Sequence, residues 1–247
     1  MTDCRIVAIA SGKGGVGKTW LAITMAHALA RARRRILLFD ADLGLANVDI
    51  QLGLMPKCDL GSVLAGRARL ADAILRHAEG GFDIIAGCSG SGALSALDAT
   101  RLERVLADVR ALSARYDLLL LDLGAGVEHS VRRAAAWADT LLVLVTDEPT
   151  SLTDAYAVLK LHAADRADGD ARAVVNMAAT LAAGERTFAT LERACRTFLG
   201  RSPRLSGIIR RDDRVRDAIR RQSLLLTRHP ASAAAADVCA VARGLDT

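Results

Sequence analysis

This 247-residue chain predicts an α/β fold, a mostly parallel sheet flanked by helices on both faces. Three observations carry that prediction. Short apolar runs alternate with helix-length stretches from end to end, the rhythm of βαβ units. The purest runs, LLLL at 118–121 and LLVLV at 141–145, contain no polar residue, as strands covered on both faces require. Each ends in a polar or glycine-containing cluster, and open parallel sheets bind their ligands at the carboxyl ends of strands.

Taken in order, strands are expected at 6–10 (IVAIA), 36–39 (ILLF), 82–85 (FDII), 118–121, 141–145, 173–175 (AVV) and 205–209 (LSGII). The stretches between them read as helices at 17–33, 98–115, 131–136, 151–162 and 184–198, with shorter ones at 60–65, 70–76 and 214–221 and a last one at 232–245. No linker, repeat or low-complexity tract breaks the rhythm, so a single domain over 1–247 is expected. The hydrophobic content of 51% is ample for its core and excludes general disorder.

Composition narrows function further. No apolar run approaches the roughly 18 to 20 residues that span a bilayer, and 6–10 is too short for a signal peptide, so a cytoplasmic protein is expected. The cysteines (Cys4, Cys58, Cys88, Cys195, Cys239) are scattered without a CxxC pair, which suggests neither a zinc site nor a disulfide framework. A formal charge of +5 admits an acidic partner, but 29 arginines against 4 lysines also fit a compositional bias. Aromatics at 3% leave little for the stacking platforms of single-strand nucleic-acid binders. No nucleophile triad is apparent.

The sequence SGKGGVGKTW (11–20) directly follows the first strand and opens the first helix. Gly12, Lys13, Gly14, Gly15, Val16, Gly17, Lys18 and Thr19 fit G-x-x-x-x-G-K-[ST], the loop that wraps backbone N–H groups around phosphates. In that chemistry Lys18 reaches the β- and γ-phosphates and Thr19 coordinates Mg²⁺, so ATP/ADP and Mg²⁺ are the expected ligands. A second lysine in the same turn repels Lys18 unless further negative charge is present. At the next strand end, DADLGLANVD places Asp40 and Asp42 two residues apart, on one side of an extended segment. LLLLDLGAG supplies Asp122 at the end of a buried strand, followed by Gly124 and Gly126, and VVNMA ends another strand at Asn176. The alternatives are a surface acidic loop for the first aspartates and an ordinary turn residue for Asn176.

GKGGVGKT resembles the deviant Walker A sequence of the MinD/ParA class of P-loop ATPases. The resemblance implies that Lys13 contacts nucleotide bound to an opposing subunit, making an ATP-dependent homodimer. It also implies that Asp40 lies near Mg²⁺, that Asp42 orients the attacking water, that Asp122 holds a water ligand of Mg²⁺, that the Gly124 amide senses the γ-phosphate, and that Asn176 contacts adenine. Lys13, Lys18 and Asp42 are thus the catalytic candidates, and Thr19, Asp40 and Asp122 the metal candidates. Leu123 departs from the usual threonine of that motif.

DADLGLANVDIQLGL, DLGAGV and DEPTSLTDAY look closest to the flagellar-number ATPases, the FlhG/FleN family, within that class. This implies a slowly hydrolysing switch acting on a flagellar GTPase and a flagellar transcriptional activator. The alternatives are a partition ATPase on nonspecific DNA, a cell-division site regulator, and a nucleotide-sensing scaffold with negligible turnover. Only eleven residues precede Gly12, so partner activation through an N-terminal extension is not expected. The alanine-rich stretch at 232–245 carries a thin stripe of Val238, Ala242 and Leu245, which suits core packing better than docking on a membrane surface. Residues 210–222 (RRDDRVRDAIRRQ) read as a solvated helix with i,i+4 pairs, or as a basic face for DNA.

Overall fold

The computed structural model describes residues 4–42, 45–87 and 99–246. Its strands are Arg5–Ser11 (β1), Ile36–Ala41 (β2), Ile74–His77 (β3), Phe82–Ile85 (β4), Leu118–Ala125 (β5), Thr140–Val145 (β6), Asp170–Ala178 (β7) and Arg204–Arg210 (β8). They join one sheet in the order β3-β4-β2-β5-β1-β6-β7-β8, parallel throughout except for β3 against β4. The helices are Lys18–Arg31 (α1), Val48–Leu52 (α2), Leu60–Leu64 (α3), Ala99–Ser113 (α4), His129–Trp137 (α5), Pro149–Asp165 (α6), Leu181–Leu199 (α7), Asp213–Arg220 (α8), Leu225–Arg228 (α9) and Ala233–Arg243 (α10).

The period of two along each strand splits the core into two layers. Val7, Ile9, Leu118, Leu120, Leu142 and Leu144 face α1, α2, α8, α9 and α10. Ile6, Ala8, Leu119, Leu121, Leu141 and Val143 face α3 through α7. Because both faces are dry, the polar residues that break these runs lie at the strand ends. β1 occupies the middle of the sheet with later strands on either side, so the loop leaving its carboxyl end opens into the crevice where such sheets bind ligands.

The expected helix at 70–76 is a correction. Leu70–Ala73 is a single 3₁₀ turn, and Ile74–His77 is an edge strand paired antiparallel with Phe82–Ile85. Arg69 and Asp72 pair side chain to side chain and close the short turn. Gly81, at φ 72°, then permits the reversal that brings the two strands together. The expected helix at 17–33 stops at Arg31, because Arg33 adopts a left-handed φ of 65°. Asp98, the expected start of the fourth helix, and Cys88 lie outside the described residues. Cys195 is buried, Cys4, Cys58 and Cys239 are half-buried, and there is no disulfide among the described residues.

The last helix, α10, is capped by Ser232, whose Oγ accepts the Ala235 N–H. It buries Ala234, Ala235, Val238, Val241 and Ala242 and leaves Ala236, Ala240 and Arg243 exposed, so its apolar stripe packs inward. Among the described residues no helix is long and apolar enough to cross a membrane.

Candidate functional site

The phosphate-loop sequence makes a tight bend between β1 and α1. Ser11 anchors its start: its carbonyl accepts the Gly126 N–H at 2.9 Å and its hydroxyl donates to the Lys13 carbonyl at 2.7 Å. Gly15 and Gly17 sit at φ 78° and 93°, where a side chain is strained. Gly12 is required for a different reason: a Cβ there would lie 2.5 Å from the backbone oxygen of Asp154 in α6. Val16 is buried, whereas Gly14 has open space around it. Lys18 and Thr19 open α1, each about 9% exposed, and the first N–H groups of a helix have no partner within it.

Strand parity explains where the carboxylates lie. In β2 and β5 the alternate residues Ile36, Leu38, Leu118 and Leu120 face α1, so Asp40 and Asp122 face it too, and the two aspartates are direct partners across the ladder. Asp122 Oδ2 accepts the Thr19 hydroxyl at 2.6 Å, while Oδ1 is buried with no partner in the protein. Asp40 is fully buried; its Oδ1 accepts the Asp42 N–H and its Oδ2 accepts the N–H groups of Asn47 and Val48, at 3.2, 2.9 and 3.0 Å. That carboxylate therefore ties down both ends of the acidic loop. Burial raises the pKa of both acids, with the Asp40 charge adding to the effect at Asp122 and the Thr19 hydroxyl and Lys18 opposing it.

Asp42 lies at the mouth of this cluster. Its Oδ1 accepts the Leu45 N–H at 2.9 Å and comes within 3.4 Å of where a Gly124 Cβ would stand, so Gly124 keeps the approach open. Leu123 turns into the opposite core layer, 1% exposed. Lys13 does not join the group: its Nζ pairs with Glu148, at the start of α6, and lies 3.3 Å from the Thr150 hydroxyl.

On the other side of the loop Asn176 donates from Nδ2 to the Val16 carbonyl at 2.8 Å, and that same nitrogen stands 2.6 Å from where a Gly17 Cβ would be. Beside it opens a cleft of about 110 Å³ lined by Gly17, Trp20, Asn176 and Met177 and by Ile209, Asp212, Val215 and Ile219. Sequence reasoning missed Trp20 and Met177 and read 210–222 as a solvent or DNA face. The signal for Trp20 was its place directly after the phosphate-loop threonine; for Arg210 to Arg216 it was their position just beyond a strand end.

These residues fit Mg²⁺ and a nucleotide. The metal candidates offer hard oxygen donors, and the orphaned Oδ1 of Asp122 asks for a cation or its bound water. The glycines leave room for a backbone cradle. The CobQ/CobB/MinD/ParA nucleotide-binding domain matches this chain over residues 7–225. The chain belongs to that family. Among its relatives, the antiactivator FleN of Pseudomonas aeruginosa is 38% identical over 247 residues, covering 100% of this chain and 88% of FleN. The flagellum site-determining protein YlxH of Helicobacter pylori is 29% identical over 76% of this chain and 63% of its own length. The MinD/ParA fold is matched by MinD from Pyrococcus horikoshii complexed with Mg-ADP, at TM-score 0.83 and 24% identity over 99% of this chain and 96% of that one. MinD in the MinC:MinD complex of Aquifex aeolicus matches at TM-score 0.81 and 27% identity, over 98% of this chain and 96% of that chain. As a member of that family the chain carries a nucleotide-binding domain.

Proposed function

We propose that this MinD/ParA ATPase is a flagellar regulatory switch that dimerises on binding ATP, hydrolyses it slowly and thereby sets the number or placement of flagella through protein partners. The observation that carries the reading is the 38% identity to FleN along the whole chain, supported by the flagellum site-determining relative. The residues supply a mechanism for the switch. The N–H groups of Gly14 to Gly17 and the first turn of α1 cradle the phosphates, and Lys18 neutralises the β- and γ-phosphates. Thr19 and Asp122 hold Mg²⁺, with Asp40 keeping the acidic loop in place beside them. Bound Mg²⁺ supplies charge neutralisation for the phosphoryl group in flight. Asp42, free of the deep core, orients the attacking water, and Asn176 meets the base. Lys13 exchanges Glu148 for the phosphates of the opposing subunit, which makes association depend on nucleotide.

Light scattering tests the switch. With Asp42→Ala and saturating ATP the protein is expected at dimer mass, and a monomer there refutes the reading. Lys13→Ala is expected to abolish the dimer while retaining nucleotide binding. Deletion of the gene in its native host is expected to change flagellar number or position; unchanged flagella with altered division sites would transfer the switch to septum placement.

A further inference from the structure

A second hollow lies between the carboxyl-terminal half of α1 and the helices α9 and α10, and at about 490 Å³ it is roomier than the 110 Å³ cleft beside Asn176. Its floor is laid with short side chains. Ala28 and Ala32 come from the end of α1, one turn apart, and Ala235, Cys239 and Ala242 follow one another at i, i+4 and i+7 on α10. At the rise of an α-helix that stripe makes a trough about 10 Å long. Arg31, Arg34 and Arg243 stand along it, and no residue lining it is acidic. Arg31 spends one N–H on the Leu226 carbonyl at 3.1 Å, and Arg243 is exposed in the last turn of α10.

We propose that this trough is a docking site for an acidic amphipathic helix of a partner protein, its apolar side chains seated on the alanines and its carboxylates facing the arginines. The walls choose a helix. They are helices themselves and offer no strand edge, so an entering segment must satisfy its own backbone hydrogen bonds. Their short side chains leave a groove into which the side-chain ridge of a further helix fits. The charge chooses an acidic partner, because three arginines without a carboxylate among the lining residues attract the opposite sign. A second copy of this chain, at +5, brings the wrong sign. A nucleic-acid backbone gains nothing from an alanine floor, and a bilayer, flat on this scale, meets the arginines without filling the space between the helices. The inference does not rest on the nucleotide site, none of whose residues lines the trough.

A display library of peptides of about 16 residues, long enough to hold a helix, tests this when panned on the full chain and counter-selected on Ala236→Trp. Ala236 lines the trough and is exposed, so a tryptophan there fills the space without entering the core. The recovered peptides are expected to carry Asp and Glu beside apolar residues at i, i+3 or i+4, and i+7. In fluorescence anisotropy the tightest of them should bind Arg243→Glu about tenfold more weakly, and exchanging its acidic residues for lysine should restore affinity for that variant. Alkylation of wild type locates the seat without any variant. With peptide at about ten times its Kd, iodoacetamide should label Cys239 about tenfold more slowly by mass action and the half-buried Cys58 at an unchanged rate. An empty selection, peptides without acidic residues, equal affinity for Arg243→Glu or an unprotected Cys239 overturns the proposal. So does wild type that selects no peptide but sediments with phosphatidylglycerol vesicles, which would assign the arginines to a membrane. Mg·ADP is expected to bind wild type and Ala236→Trp alike, so loss of nucleotide binding is read separately from loss of the peptide.

Discussion

At the amino ends of the strands nearly every charge is answered, whereas at the carboxyl ends polar groups are left waiting. Asp170, at the start of β7, accepts from Arg172, Arg204 and Thr140, with Arg5 3.7 Å away. Asp139 accepts the Ile6 N–H at 2.8 Å, and Asp117 accepts both the backbone and the guanidinium of Arg35. At the opposite end, Asp122 Oδ1, Thr146 Oγ1 and Trp20 Nε1 account for three of the five buried side-chain atoms without a partner among the described residues. The other two, His27 Nδ1 and His162 Nδ1, lie away from the phosphate loop, so it is the concentration of unmet groups with the buried carboxylates beside that loop that marks the ligand end. The comparison teaches that the end fastened by ion pairs provides stability and the unfinished end provides chemistry.

Substituting at both ends breaks or sharpens that contrast. The largest effect is expected from Asp122→Asn. Phosphate release should fall about 100-fold, while the nucleotide-free protein, relieved of a buried charge beside Asp40, should gain about 2 kcal/mol, or roughly 4–8 °C in Tm. Calorimetry in EDTA checks the second half, and a lower Tm there would make Asp122 a structural residue and collapse the contrast. Next comes His27, on α1 between the two ends. Burial, with the Arg31 charge second, lowers its pKa from 6.5 to about 4. The unfolded chain thus takes up a proton near 6.5 that the folded chain refuses until about 4, so stability falls as pH drops across that window. The loss is about 2 kcal/mol, and urea titrations at pH 7 and pH 4.5 should show it shrinking in His27→Leu.

A smaller effect is expected at the fastened end. Burial works against ionised Asp170, but hydrogen bonds from Arg172 and Thr140 and the arginine charges prevail and hold its pKa below the ordinary 3.8. Its contribution is therefore present above that value and lost as pH falls below it. Asp170→Asn should cost about 1–2 kcal/mol at neutral pH and nothing near pH 2, with ATP turnover unchanged within about twofold. Slower turnover would show that the two ends are not independent. The smallest effect belongs to the exposed Arg69–Asp72 pair: Arg69→Ala should leave the thermal melt indistinguishable from wild type.

The strands were legible where a buried sheet writes them most plainly. LLLL and LLVLV permit no other placement, and the parity that splits them between two core layers also aims Asp40 and Asp122 at α1. The edge strand ILRH was not legible, because a short, half-exposed strand alternates too little to be told from a helical turn. The phosphate loop was readable from its glycines, but the separate demands on Gly12 and Gly17 were not. One arises from the approach of α6 and the other from Asn176, both distant in sequence. Asp40 was read for its nearness to Mg²⁺, yet its grip on three backbone N–H groups needs the return path of the chain through Asn47 and Val48. Trp20 was not singled out, since no pattern in the sequence reveals that a donor lacks its acceptor.

The seat of Gly12 against the Asp154 backbone has a mechanical meaning. The loop rests on α6 with no side chain between them, and Lys13 fastens the same bend to Glu148 and Thr150 at the helix's first turn. A 17-residue helix is a rod about 25 Å long. Its far tip is fastened as well, where Arg132 clasps Asp165. A side chain at residue 12 would therefore have to displace a rod held at both ends and not one yielding neighbour.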